Sequence, residues 1–282
     1  MRKNGFNVLF LTLAIACLLA PQPATAQEDA KGPLLWVSYV TAEPGMSGQL
    51  GRRMAEEGAK IYDDLVADGH AFNWGVTQAV NHFPGDDWTH MEFINFKDWA
   101  GVNEFITRFM AGMQAMTPEA RAADAAKWDE LTVHGSHYDM IARNVYVSAS
   151  GGRPGYIMLS TFGTQPGTGD DDVVAMYGKW RAPIMDRLKT DGKILGHGVL
   201  TPYIHGPGQG GDVTAWYTMA DLGALDAVEG AADAAEAART PEQSAEWMAD
   251  MQKHFERPGK GNHTDRLLVV THYKSAGPPP SD

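Results

Sequence analysis

The chain has 282 residues, a net charge of −12 at pH 7, 44% hydrophobic residues and one cysteine. The acidic balance argues against nucleic acid and anionic membrane surfaces as partners, because both would repel it. A lone Cys17 excludes an internal disulfide and any cysteine-built metal centre, so stability must come from an apolar core, for which the length is ample.

Residues 1–26 read as a secretory leader. Arg2 and Lys3 form the positive start, Val8 to Leu19 an apolar run, and Ala24-Thr25-Ala26 the small-residue cleavage site. The run is too short to cross ~30 Å of hydrocarbon comfortably. A lipoprotein route through Cys17 is the weaker alternative, since Ala14-Ile15-Ala16 matches a lipobox poorly. The expectation is a secreted or periplasmic protein with no membrane partner after cleavage.

Beyond the leader, Leu34 to Thr41 is rich in β-branched and aromatic residues and predicts a strand, broken by Pro44-Gly45. Met54, Ile61, Tyr62, Leu65 and Val66 recur at helical spacing up to Asp68-Gly69. Phe72 to His82 and Trp88 to Phe96 predict a hairpin around Pro84-Gly85. Asp98 caps a helix carrying Trp99, Val102, Phe105 and Phe109, and Thr117-Pro118-Glu119 opens another. A strand from about Asp139 to Val147 closes this set. After the linker Gly151 to Gly155 the order returns: strand Tyr156 to Phe162, helix near Asp172 to Leu188, and strands Ile194 to His205 and Val213 to Met219. Helices from Asp221 and Thr240-Pro241-Glu242 and a strand Arg266 to Tyr273 complete it. The expected layout is a first repeat over 33–150, a second over 155–274 and a disordered tail over 275–282.

The repetition is visible in residues. Asp68-Gly69 and Trp74-Gly75-Val76 return as Asp191-Gly192 and His197-Gly198-Val199 at one constant offset, which also joins Thr117-Pro118-Glu119 to Thr240-Pro241-Glu242 and His82 to His205. Nearby offsets join Pro44-Gly45 to Pro166-Gly167 and His137-x-Asp139 to His263-x-Asp265.

Each unit runs β-α-β-β-α-β, the ferredoxin-like order. With the Pro-Gly break, the amphipathic helix, the hairpin and Asp98-Trp99, the chain resembles the dimeric α/β-barrel superfamily, which includes antibiotic-biosynthesis-monooxygenase-like, EthD-like, NIPSNAP-like and chlorite-dismutase-like proteins. The resemblance covers nearly the whole chain after the leader and does not single out a subfamily. It implies an α+β fold of two tandem ferredoxin-like repeats packed as a pseudo-dimeric barrel, in a monomer or a homodimer.

Strand parity groups the candidate site residues. Phe72, Trp74, Val76, Gln78 and His82 share one face and are expected to line the barrel interior, with Ala71, Gly75 and Ala79 against helices. The matching set is Leu195, His197, Val199, Thr201, Tyr203 and His205. Trp74, Gln78, Thr201, Tyr203 and Trp216 are the ligand-binding candidates. His197 replaces Trp74 between two glycines and is the first candidate for a base, a metal ligand or a haem ligand; the competing reading is a core histidine held by a neighbour. His90 with Glu92 offers a base and its orienting carboxylate. His82, His205, His137, Asp139, His263 and Asp265 recur in both repeats, which favours structural work. No nucleotide, haem-attachment or zinc-protease motif is present. The sequence therefore points to a binder of a small hydrophobic or aromatic molecule, most simply without cofactor. A cofactor-independent monooxygenase-like enzyme, or a haem- or divalent-metal-binding barrel using His197, is the alternative.

Overall fold

A computed structural model describes residues 32–81, 88–148, 152–204, 212–256 and 263–276. Residues 1–31, with the expected leader segment, His82 and His205 lie outside the described residues, as do residues 277–282 and the side chain of His263. The strands are β1 (Leu34–Val40), β2 (Ala71–Ala79), β3 (His90–Phe96), β4 (Tyr138–Ser148), β5 (Tyr156–Gly163), β6 (Gly196–Ile204), β7 (Asp212–Met219) and β8 (His263–Ser275). They close into one antiparallel barrel in the order β1-β3-β2-β8-β5-β7-β6-β4. Read around the ring, β4-β1-β3-β2 is followed by β8-β5-β7-β6, so two four-stranded halves have the same internal order. They meet along two seams, β2 with β8 and β4 with β6. Both seams carry a register shift at the matching place, beside Val76/Thr77 in one and Val199/Leu200 in the other. Such bulges sharpen strand twist and help a sheet curve shut.

Seven helices are described: α1 (Ser47–Ala67), α2 (Trp99–Ala115), α3 (Pro118–Leu131), α4 (Asp170–Trp180), α5 (Ala182–Thr190), α6 (Gly223–Ala237) and α7 (Pro241–His254). Helix α1 is amphipathic, burying Leu50, Met54, Tyr62 and Leu65 at turn-by-turn spacing. It ends at Gly69, whose φ of +78° is the left-handed conformation that stops a helix, and Gly192 with φ +69° does the same after α5. Asp98 caps α2 through a bond from the Gly101 amide (2.9 Å), while Thr117 and Thr240 cap α3 and α7 ahead of a first-turn proline. One expected helix near Asp172 to Leu188 is instead two. The chain breaks at Arg181, where Pro183 in the first turn of α5 lacks the amide proton that continuity requires. No described helix is long and apolar enough to cross a membrane.

The core has two kinds of layer. Outside the barrel, Leu34, Leu50, Leu65, Trp74, Phe96 and Val102 pack the helices of the first half against its strands, and Val199, Tyr177, Met185 and Met219 belong to the corresponding layers of the second. Inside the barrel a separate cluster forms around Leu35, Val37, Met91, Phe93, Ile157 and Leu268. Full burial of each such side chain contributes about 1.5–3 kcal/mol.

Candidate functional site

The barrel encloses a cavity of about 350 Å³. Its first-half wall includes Leu35, Val37, Met91, Phe93 and Met140, and its second-half wall Ile157, Leu159, Leu200, Trp216 and Tyr273. Two glycines shape this wall. A Cβ on Gly75 would lie 2.7 Å from the His272 carbonyl oxygen and 2.9 Å from the Phe93 ring, and one on Gly198 would clash with the Tyr146 carbonyl oxygen and lie 2.7 Å from the Trp216 ring. Phe93 and Trp216 pair directly with those glycines across their hairpins. Each glycine thus leaves room both for the seam strand's backbone and for an aromatic ring lying against the sheet.

Polar groups gather toward the ends. At one end the Trp216 Nε1 donates to Asn144 Oδ1 (3.1 Å), Asn144 Nδ2 to Asn95 Oδ1 (3.2 Å), and Asn95 Nδ2 to Asn73 Oδ1 (2.7 Å). Toward the other, Tyr39 stacks on Tyr138 (4.8 Å) and packs on Trp88 (4.9 Å), and the Arg266 guanidinium lies 4.5 Å from the Trp88 ring. Asp212 also lines the cavity; burial and the nearby Glu256 push its carboxyl up from the usual range. Burial likewise raises the Tyr273 phenol, against a smaller pull from Ser275.

The chain matches no family model and no curated protein. Solved structures are similar over almost the whole of both chains. One is a proposed monooxygenase from Lactobacillus acidophilus NCFM, with TM-score 0.54, 11% identity, 89% of this chain and 100% of that one. A second is an anthrone oxidase-like protein (0.51, 16%, 89% and 95%). A third is a proposed monooxygenase from Fusobacterium nucleatum subsp. nucleatum ATCC 25586 (0.51, 7%, 88% and 97%). The fold is that of the dimeric α/β barrels. At these identities the likeness concerns architecture, and function has to be argued from this barrel's own residues.

The expected face assignment is reversed. Trp74 and Gln78 on β2, and His197, Thr201 and Tyr203 on β6, lie on the outer surface of the barrel; the cavity is lined from the alternate parity. Parity states which residues share a face but not which face is inside. Gly75 and Ala79 look inward, where the Phe93 ring lies over Gly75, while the helix layer needs a residue as large as Trp74; Ala71, beyond a register shift at Ala71/Asn73, stays with the helices as expected. Of the five ligand-binding candidates, only Trp216 lines the cavity. Tyr203 is 53% exposed and packs on Trp99 (5.4 Å) and the Arg143 guanidinium (5.0 Å).

His197 is fully buried between β6 and the helices. Its Nε2 faces Asp186 Oδ1 at 2.9 Å and its Nδ1 faces the Tyr177 hydroxyl at 3.0 Å. A carboxylate only accepts, so Nε2 carries the proton and Nδ1 accepts from Tyr177. Burial pushes the ring's pKa down, and Asp186 pulls against it. With both nitrogens engaged and the ring outside the cavity, His197 does not fit an axial haem ligand or a ligand to a metal in the barrel. Among the described residues no cluster of three or more His, Cys, Asp or Glu side chains could hold a metal ion.

His90 and Glu92 also face the helices. The Glu92 carboxyl accepts from Tyr62 (2.8 Å), and burial raises its pKa to about 7. His90 Nδ1 meets Thr89 Oγ1 (2.9 Å), its Nε2 is a buried atom without a hydrogen-bond partner, and burial lowers its pKa to about 4. The two do not act on one cavity as a base and its orienter. Asp139 accepts from Ser38 (2.5 Å) and Trp36 (3.3 Å) and pairs with His137 (3.3 Å), while Asp265 accepts from Ser160 (2.6 Å). The site residues that sequence reasoning passed over are Asn73, Asn95 and Asn144. They stand on three separate strands, and only the pairing of those strands brings their amides together.

Proposed function

We propose that this chain is an exported protein that binds one small, largely apolar aromatic molecule inside its barrel. The observation that carries the reading is the cavity itself. Its 350 Å³ falls within the ~300–1,000 Å³ of ligand pockets, and its middle is walled by Val37, Phe93, Leu159 and Trp216 with polar groups toward the ends. The leader sequence supports export. A tandem duplication accounts for the recurrent residues and for the strand order repeated in the two halves. It gives one polypeptide both halves of a barrel, hence a monomeric pseudo-dimer.

Cofactor-independent oxygenation of the bound molecule is the second reading. It is favoured by the neighbours described as monooxygenases or anthrone oxidase-like and by a largely apolar, aromatic-walled chamber with amide hydrogen-bond donors at one end. Anthrone tests both readings. A binder quenches its tryptophan emission saturably at one equivalent and retains anthrone in dialysis. An enzyme in addition consumes one O₂ per anthrone and releases anthraquinone and water faster than buffer alone. If neither anthrone nor any other fused-ring aromatic of that size is retained, the binding proposal falls. Trp216→Phe checks the location, since quenching inside the barrel must weaken when that indole is removed.

A further inference from the structure

The asparagine row has a direction, and one residue sets it. The indole N–H of Trp216 can only donate. The Asn144 atom 3.1 Å from it is therefore the amide oxygen, which turns the Asn144 nitrogen toward Asn95. Asn95 must then answer with its oxygen and turn its own nitrogen toward Asn73. No amide in the row can be inverted alone without placing two donors or two acceptors face to face. The oxygen of Asn73 is thus engaged, and its NH₂ group donates to no other described protein group. All three amides line the cavity.

The second half has no such row. Asn73 pairs with Asn95 across the first hairpin, and the corresponding pair in the second is Gly196 with Thr218. The polar end is therefore one-sided, and a ligand that uses it is held in one orientation along the barrel.

We infer that this end of the cavity recognises a hydrogen-bond acceptor, so that the ligand is a fused-ring aromatic ketone, quinone or phenolate whose oxygen takes the Asn73 amide protons. This rests on the binding reading above and narrows it to a chemical class. A ligand presenting an N–H or O–H donor there meets an amide already committed to donating. It leaves its own polar hydrogen unpaired, the costly case in a buried site.

Three probes of nearly one shape separate the possibilities: fluorene with no polar group, 9-fluorenone with an acceptor, and carbazole with a donor. Equilibrium dialysis of the intact protein reads their affinities without relying on fluorescence. Fluorenone is expected to bind about three to ten times more tightly than fluorene, the range of one net hydrogen bond, and carbazole no more tightly than fluorene. In Asn73→Leu the fluorenone-to-fluorene ratio should collapse toward one, and in Trp216→Phe, where the row is free to invert, the gap between fluorenone and carbazole should narrow. Equal binding of all three probes overturns the inference while leaving an apolar binding barrel intact. Tighter binding of carbazole overturns it by reversing the row. Retention of none overturns both proposals. A fluorenone preference that survives in Asn73→Leu removes Asn73 as the donor. Should Asn73→Leu not fold, Asn73→Ser and the wild-type comparison still decide.

Discussion

The two halves of the barrel use one skeleton and fill it differently. In the first, Trp74 on β2 donates its Nε1–H to Asp63 on α1 at 2.8 Å. In the second, His197 on β6 donates to Asp186 on α5 at 2.9 Å. Across the seams, Trp74 packs on His272 of β8 (4.4 Å) and His197 on Tyr146 of β4 (5.9 Å). The slot is the same: a strand ring carrying an N–H, a helix aspartate accepting it, and an aromatic side chain from the other half. A difference that reads in sequence as a gained histidine is, in space, one N–H donor exchanged for another. Divergence in the interior runs the other way, because the amides Asn73, Asn95 and Asn144 come from the first half and the indole of Trp216 from the second.

Truncating the two ring donors tests that equivalence most strongly. Trp74 is fully buried and packs on Tyr62 (5.2 Å) as well as His272, so Trp74→Ala should cost about 4 kcal/mol in chemical denaturation. His197→Ala removes a smaller ring but strands the Tyr177 hydroxyl, and should cost about 2 kcal/mol. Asp186 is half exposed, so water can replace the lost bond there. A His197→Ala variant as stable as the parent would show that the second slot is not structural and would reopen a functional role for the ring.

The outer layers differ in buried charge. His90 and Glu92 lie on β3, where the matching positions of β7 are Val213 and Ala215. Glu92 has a pKa raised by burial to about 7, with Tyr62 lowering it and Asp139 raising it. The folded state therefore holds a proton that the unfolded state gives up near 4.5, and this contribution is present below pH 4.5 and lost as pH rises through 7. His90, lowered to about 4, has the opposite sign: its contribution is present above pH 6.5 and lost as pH falls through 4. Each is worth on the order of 3 kcal/mol at its extreme, and between pH 4.5 and 6.5 they oppose. Glu92→Gln should gain stability relative to the parent as pH rises to 8, and His90→Gln should gain it relative to the parent as pH falls to 4.5. Denaturation curves across that range check both, and difference profiles without slope would show that neither group is held as buried as the structure places it.

These contrasts also mark what the sequence could tell. Element order was legible because Pro-Gly breaks, capping Asp98 and Thr117-Pro118, and the periodic face of α1 are local signals read by local chemistry. The break at Arg181 was missed although Pro183 marks it, because helical spacing runs on from Asp172 to Leu188. The interior face was not legible. Trp74 looks like a pocket residue and Gly75 like a packing residue until Phe93 is known to lie over Gly75, and that is a pairing between strands. The Asn73–Asn95–Asn144 row depends likewise on β1 and β3 placing β4 beside them, so no spacing within one segment could announce it.

The smallest expected effect sits where the halves agree most closely. Ser38 donates to Asp139 across β1 and β4, and Ser160 to Asp265 across β5 and β8. Burial alone would raise the Asp139 carboxyl, but bonds from His137, Ser38 and Trp36 outweigh it and hold its pKa below the usual value. Ser38→Ala therefore removes a donor from a partly buried carboxylate and should cost about 1 kcal/mol, while Ser160→Ala, at an exposed pair, should cost about 0.5 kcal/mol or less. At this chain length 1 kcal/mol moves Tm by about 2–4 °C, so paired thermal melts resolve the difference. Equal shifts would mean that the serine–aspartate link is worth the same wet or dry, and that its recurrence reflects strand registration rather than the burial of Asp139.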